Sequence, residues 1–378
     1  MDNQIDVPQG QFQLNRLPHN RRDPLRAWDA ADEYLLKHIA DEIKPEIGGR
    51  ILIINDSFGA LAVALSNHQP CALSDSYLSQ EATRKNLKLN GIAEENVELI
   101  SSMEVPHGDF DLILIKAPKS LALLEDELIR IRPLIKPGSQ LIVSGMIKGL
   151  APGVWKLLER IIGPTTTSLA RKKARLIFTS PDSELGQTES PYPTCYTLEQ
   201  SNYQICNHAN VFSRESLDIG TRLFLKHIPT SALTKDIVDL GCGNGVVGLI
   251  ASERNPEATI HFIDESHMAI ASARDNFNRA FGMQRPATYE IEDGLTKVSD
   301  NSVDLILCNP PFHQQSAVGT HLAQQMFNDS KRVLKDSGEL WVIGNRHLGY
   351  HKTLKQLFGN VTLIDSNKKF VVLKSIKI

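Results

Sequence analysis

Residues Lys235 to Ile250 read KDIVDLGCGNGVVGLI, and this stretch decides the fold. Ile237-Val238-Asp239-Leu240 is a short apolar run, β-branched in the manner of a buried parallel strand. Gly241, Gly243 and Gly245 then fall within five residues, and Val246 to Ile250 resumes as an apolar helix start. A strand, a glycine-rich turn and a helix form the cofactor-cradling unit of nucleotide-type α/β folds. Glycine serves there because a side chain would bar the ligand from the backbone and because the turn visits positive φ. Ordinary tight turns use glycine clusters too, so the meaning of this one rests on what surrounds it.

Two later segments give it that meaning. Asp264 ends the next strand-like run, Ile260-His261-Phe262-Ile263, at a distance suited to an acid that grips ribose hydroxyls. Asp304-Leu305-Ile306-Leu307-Cys308 then runs into Asn309-Pro310-Pro311-Phe312. In this order, with the flanking stretches NHANVFSRESLDIG and NPPFHQQ, the chain resembles the S-adenosylmethionine-dependent N-methyltransferases. Within them it looks like the two-domain guanine-N2 methyltransferases of ribosomal RNA, those of the large (23S) subunit above all. The motifs lie in the second half, but the resemblance covers the whole chain.

At 378 residues the chain exceeds a usual single core, so two domains are expected. Hydrophobic content of 41% with 22% charged residues describes a globular protein, and no apolar run reaches membrane-span length. The start MDNQIDVPQGQ is not a secretory signal, which makes the expected location cytoplasmic. Five cysteines (Cys71, Cys195, Cys206, Cys242, Cys308) show no CxxC spacing, which predicts neither disulfides nor a zinc site. A net charge of −3 excludes a wholly basic nucleic-acid glove and leaves room for local basic patches.

The first half reads as a worn copy of the second. Arg50 to Gly59 mirrors the glycine-loop strand, with Gly59 opposite Gly245; Ser74-Asp75-Ser76 mirrors Ile263-Asp264-Glu265. Asp111 to Lys119 lies opposite Asp304 to Phe312, and Gly163 with Lys172-Lys173 opposite Gly359 with Lys368-Lys369. Four matches in one order, at a slowly lengthening offset, are what two related domains with small loop insertions give. The copies differ where chemistry would sit. Asn55, Asp56 and Ser57 replace Gly241, Cys242 and Gly243, and Lys116-Ala117-Pro118-Lys119 replaces the NPPF stretch. The first domain is therefore expected to keep the fold without cofactor binding or catalysis.

The Ser-, Pro- and acid-rich segment from Ser180 to Pro191 suits an exposed linker. The expected division is a degenerate methyltransferase-like, RNA-binding domain over 1–185, a linker over 186–195 and a catalytic domain over 196–378. Within the latter, strand-like and helical runs alternate, closing on a hairpin over 361–376. Alternation predicts a parallel, doubly wound sheet, and the resemblance implies an antiparallel strand at its C-terminal end. The expected fold is thus two tandem Rossmann-like methyltransferase domains.

The sharpest chemical signal is Asn309-Pro310-Pro311-Phe312. An amine methylated by a sulfonium needs little acid–base help, but its hydrogens must be held and its lone pair aimed. The Asn309 carboxamide oxygen and the Pro310 carbonyl can each accept one N–H, the prolines stiffen the turn, and Phe312 can stack on a base. For S-adenosylmethionine, the expected contacts are Gly241, Gly243 and Asn244 at the methionine and ribose portions, with Asp264 on the ribose hydroxyls. Asp293, carried over from the resemblance, is expected at the adenine. Asp239, costly inside an apolar strand unless paired, anchors the loop or the methionine amine. Phe212 and Ser213 resemble the family's lid over the cofactor. His347 and His351 sit four apart with no HExxH glutamate, so they read as polar residues beside the fifth strand, and no metal is expected.

Candidate phosphate contacts are Arg171, Lys172, Lys173 and Arg175, with further basic clusters at Arg16/Arg21/Arg22/Arg26 and Arg130/Arg132. The expected partner is 23S ribosomal RNA, the expected state a monomer, and the expected reaction methyl transfer to guanine N2. The NPPF motif alone fits other ribosomal RNA base amines and protein glutamine equally well. A catalytically silent RNA-binding or ribosome-assembly factor is the competing class, and the intact glycine loop argues against it.

Overall fold

A computed structural model of the chain describes residues 3–17, 25–44, 49–311 and 317–378. It divides into two compact units, Met1–Tyr192 and Pro193–Ile378. The first strand of the second unit, Thr194–Thr197, begins inside the stretch read from the sequence as linker. Among the described residues no helix is long and apolar enough to cross a membrane.

Each unit is built on a seven-stranded sheet. In the second the spatial order is Ala287–Ile291, Thr259–Asp264, Asp236–Leu240, Val303–Cys308, Leu334–Asn345, Phe370–Ile376 and Thr362–Ser366. The first five strands are parallel, and Phe370–Ile376 runs antiparallel to both its neighbours. The first unit repeats this order strand for strand: Glu98–Ser101, Cys71–Ser74, Ile51–Ile54, Phe110–Lys116, Ile135–Met146, Ala174–Thr179 and Thr165–Thr167. This is the tandem, doubly wound α/β architecture expected from the alternation of runs.

Apolar strands with no polar face follow from burial on both sides. Successive side chains point to opposite faces, so each strand feeds two cores. Ile237, Leu305 and Leu307 join one cluster of the second unit, while Val238, Leu240, Ile306 and Cys308 join the other. The first unit splits the same way: Ile51, Ile53, Leu112 and Leu114 on one face, Leu52, Ile54, Ile113 and Ile115 on the other. In both units the chain reverses its winding between the glycine-loop strand and the strand that precedes the candidate catalytic turn. At such a switch point the C-terminal strand ends open a crevice.

Both units also carry an N-terminal antiparallel hairpin outside the sheet, Gln4–Val7 with Gly10–Gln13 and Thr194–Thr197 with Gln204–Asn207. The second hairpin corrects the expectation of no disulfide. Cys195 and Cys206 are direct cross-strand partners and are bonded, whereas Cys71, Cys242 and Cys308 are free and buried. Hairpin register made this pair, and no short cysteine spacing announces it.

Candidate active site

The strand Asp236–Leu240 delivers the chain to a loop in which Gly241, Gly243 and Gly245 all have positive φ, at 70°, 54° and 75°. The strictest requirement is at Gly245, where a Cβ would come within 2.8 Å of the Ala273 methyl. A Cβ at Gly241 would stand 3.6 Å from the Asn309 carbonyl oxygen, and one at Gly243 would have no atom of the described residues within 4 Å. The loop thus lies flush against its neighbours on one side and presents bare backbone on the other.

Its anchors are polar groups. Asp239 is buried, and its Oδ2 accepts from the Gly248 amide at 2.7 Å, tying the strand to the helix Val246–Arg254. Burial pushes its carboxyl up to about 8, against the lowering effect of that amide. Asp264, at the end of its strand, accepts from Gly243 N at 2.9 Å and from Ser266 N at 3.0 Å. The Asn244 Oδ1 accepts from Val246 N at 3.2 Å, and its amide donates to the Tyr196 hydroxyl at 3.4 Å. Asn276, which sequence reasoning missed, closes the arrangement. Its amide donates to the carbonyls of Asn244 and Cys206, and its oxygen accepts from Cys206 N at 2.7 Å. The hairpin and the glycine loop are therefore pinned by one buried side chain.

Asp264 pairs in register with Ile291, which places Asp293, two residues on, at the same C-terminal edge of the sheet. Phe212 is 63% exposed in the segment before the helix Ile219–Leu225, and Ser213 beside it has φ 54° and donates to the Ser216 carbonyl.

Asn309 follows the strand Val303–Cys308 directly. Its Nδ2 donates to Thr221 Oγ1 at 3.2 Å, while its Oδ1 is buried and accepts nothing from the described residues. Pro310 is buried behind it. Phe312 lies outside the described residues. The Asn309 carbonyl borders Gly241, so the structure brings the glycine loop and the catalytic candidate together at the ends of two adjacent parallel strands. An unpaired buried amide oxygen is costly, and it matches a site that accepts an N–H from a substrate.

The basic candidates are partly committed to the first unit itself. Lys172 pairs with Glu33 at 2.8 Å, and Arg171 lies over the Tyr34 ring; Lys173 is exposed. Arg175 is half-buried in the strand Ala174–Thr179. Arg132 donates to the carbonyls of Ile162, Asp182 and Leu185, and Arg130 to those of Ser102 and Glu104, so both act as internal braces. Arg16 lies over Phe58 and Arg26 over Trp28; Arg21 and Arg22 fall outside the described residues. Arg346 donates to the Asn367 carbonyl, beside the turn that carries His347. Among the described residues no group of His, Cys, Asp or Glu forms a metal-binding set.

Residues 2–183 match the family described as RLMG N-terminal domain, and residues 202–374 match the methyltransferase small domain. A ribosomal RNA large subunit methyltransferase G of Streptomyces coelicolor is 47% identical, with 99% of this chain and 100% of that protein covered. One from Pseudomonas aeruginosa is 49% identical, with 98% of each covered. A solved 16S rRNA N2 methyltransferase of T. thermophilus, in complex with AdoMet and guanosine, shares the fold at a TM-score of 0.76 and 18% identity. That likeness covers 99% of this chain and 97% of the other.

Proposed function

We propose that this chain, which belongs to the ribosomal RNA large subunit methyltransferase G family, transfers a methyl group from S-adenosylmethionine to the exocyclic N2 of a guanine in 23S ribosomal RNA. The observation that carries the reading is the buried Asn309 Oδ1, left to accept an N–H at the strand end beside the glycine loop. When bound, the cofactor would supply an electrophilic methyl on its sulfonium and leave as the neutral thioether, while the amine would give up one proton to water.

The residues of the chain do the rest. Gly241, Gly243 and Asn244 would hold the cofactor through backbone, with Asp264 on its ribose, Asp293 at its adenine and Phe212 with Ser213 as cover. Asp239 acts by fixing the helix that frames the loop. Asn309 Oδ1 and the Pro310 carbonyl hold the two hydrogens of the target amine, which aims the lone pair at the methyl. Phe312 stacks on the base once it has left its own stack. Family membership favours an RNA base over a protein glutamine, and the intact loop argues against a silent assembly factor.

The first unit is read as the phosphate-binding platform, with Lys172, Lys173, Arg171 and Arg175 as contacts, in a cytoplasmic monomer. The test is to incubate the protein with labelled cofactor and ribosomal RNA from cells lacking it, then digest to nucleosides. Label in N2-methylguanosine from the 23S species is expected. Label in another nucleoside, or none, overturns the reading.

A further inference from the structure

The Asn309 carboxamide has two ends of nearly the same shape. Only its partners decide whether the oxygen or the NH2 faces the target. We infer that Thr221, held by Asp218, is the positioning residue that fixes this choice, so that Asn309 presents its oxygen to the amine. The inference rests on the reaction proposed above.

Asp218 caps the helix Ile219–Leu225, and its Oδ2 accepts from Thr221 N at 2.9 Å. The Thr221 hydroxyl lies 3.3 Å from the same oxygen. An ionised carboxylate only accepts, so the hydroxyl must donate its single proton there. Its remaining lone pairs can then only accept, and the group within reach is Asn309 Nδ2 at 3.2 Å. With the NH2 committed to Thr221, the oxygen is turned the other way, where it is buried and has no partner among the described residues. Each member of the chain Asp218, Thr221, Asn309 thus dictates the direction of the next. A Cβ at Gly220 would stand 2.9 Å from Phe370 Cε1 and 3.0 Å from Asp218 Oδ2, so glycine leaves both where they are.

The first unit supports the pairing independently. Lys116 follows Ile115 as Asn309 follows Cys308, and those two residues hold the same register against Ile54 and Leu240. Asp32 stands three residues after the cap Asp29, as Thr221 stands three after Asp218. Lys116 Nζ meets Asp32 at 2.5 Å, with Asp32 fully buried. Where the strand end carries an ammonium instead of an amide, the helix position carries a carboxylate instead of a hydroxyl. The two positions form one functional pair, and their chemistry is matched in both copies.

Single-turnover methylation of ribosomal RNA from cells lacking the protein, with both substrates saturating, tests this. Thr221→Val keeps the shape and removes the acceptor; it should slow the rate by about 10- to 100-fold through misdirection of the amide. Cofactor and RNA dissociation constants should stay within about twofold, and Thr221→Ser should recover most of the rate, as positioning through one hydroxyl requires. Asp218→Asn, an equally good cap that can also donate, should relax the polarity and slow the rate by about three- to tenfold. In an Asn309→Ala background, Thr221→Val should add nothing, since both changes break one link.

Full rate in Thr221→Val, a further loss in the double variant, or weakened binding that accounts for the lost rate would overturn the role of Thr221. Should Thr221→Val not fold, an unchanged rate in Asp218→Asn overturns it in the same way. Wild-type protein in the same assay separates the two readings: no turnover there counts against the reaction, and an active wild type beside an unimpaired Thr221→Val counts against Thr221 alone.

Discussion

The two sheets share strand order, register and the alternate assignment of side chains to two cores, yet their C-terminal ends have opposite characters. In the second unit Gly241 leaves bare backbone opposite the Met326 methyl. In the first, Asn55 adopts the same left-handed turn at φ 65°, and its amide donates to the buried Glu127 at 2.9 Å. Asp239 reaches the helix amide of Gly248 from inside its strand, whereas Asp56 does the equivalent work for Leu61 and Ala62 from within the loop itself. The first unit thus carries hydrogen-bonded polar side chains at the strand ends where the second unit carries glycines. The fold survives because the apolar alternation is untouched. A doubly wound sheet constrains its strands strongly and its strand ends hardly at all, provided each buried charge keeps a partner.

The matched positions Asn309 and Lys116 should break in different ways. On the proposed mechanism Asn309→Ala removes an acceptor for the reacting amine, and single-turnover methylation should fall by about 100-fold or more with cofactor affinity kept. Lys116→Ala strips the buried Asp32 of its counter-charge and should cost about 3–5 kcal/mol of stability in the first unit. At equal folded fraction its chemical rate should match the wild type, measured by denaturant unfolding beside single-turnover assays. A rate defect in folded Lys116→Ala would mean that the first strand end still does chemistry.

Asp264 and Asp75 sharpen the contrast one strand further out. Asp264 holds the Gly243 amide at the open edge, while Asp75 is buried and accepts from the Ser102 hydroxyl at 2.6 Å. Asp264→Asn retains an acceptor for Gly243 but loses the charge, and should weaken cofactor binding by about 1–3 kcal/mol. Asp75→Asn should leave it unchanged. Isothermal titration decides both, and a loss in Asp75→Asn would mean that the strand ends of the first unit still admit ligand.

What could be read from the sequence followed from local pattern. The apolar run into Gly241, the acid at Asp264, the Asn309 turn and the ordered matches between halves are each contained in a few consecutive residues, and each fell at the strand end or strand it implied. What could not be read depended on partners far apart in sequence. Thr221 meets Asn309, Asn276 meets the carbonyls of Asn244 and Cys206, and Cys195 meets Cys206 only once helix placement and hairpin register exist. Asn86 in the first unit repeats the Asn276 staple, donating to the carbonyls of Asn15 and Phe58. Aligning the halves at the helix after the second strand would have exposed that asparagine as a shared residue. The first hairpin was missed because Gln4–Val7 and Gly10–Gln13 are short and largely polar, and only Ile5 and Val7 are buried.

The buried carboxyls make the comparison pH-dependent. Asp239 is raised to about 8 and Asp56 to about 6, in each case first by burial; the charge of Asp264 adds to the first and that of Asp32 to the second. A raised carboxyl is protonated in the folded state while its unfolded counterpart is ionised. Unfolding then releases a proton, so stability falls as pH rises from the unfolded value toward the folded one. Asp239→Asn should remove about 1.4 kcal/mol per pH unit of that decline between pH 6 and 8 in the second unit. Asp56→Asn should change the slope only below about pH 6. Hydrogen exchange of peptides from each sheet, followed across pH 5 to 8, would separate them. Equal slopes in wild type and Asp239→Asn above pH 6 would show that Asp239 is ionised when folded.

The smallest effect belongs to the turns before the antiparallel strands. Lys173 and Lys369 occupy the same place in the two copies, each just ahead of the strands Ala174–Thr179 and Phe370–Ile376. If the pair were only a feature of the hairpin, reversing either charge would do the same thing. The platform reading gives the first unit alone the phosphate contacts, so Lys173→Glu should weaken RNA binding severalfold and lower the salt slope by about 1. Lys369→Glu should leave that slope unchanged, and neither should alter the cofactor dissociation constant. Filter binding of ribosomal RNA to the full chain over a salt series measures this directly. Matching slopes for the two variants, whether both shifted or both unshifted, would remove the first unit's claim to the RNA and return Lys173 to the role of a solvated turn.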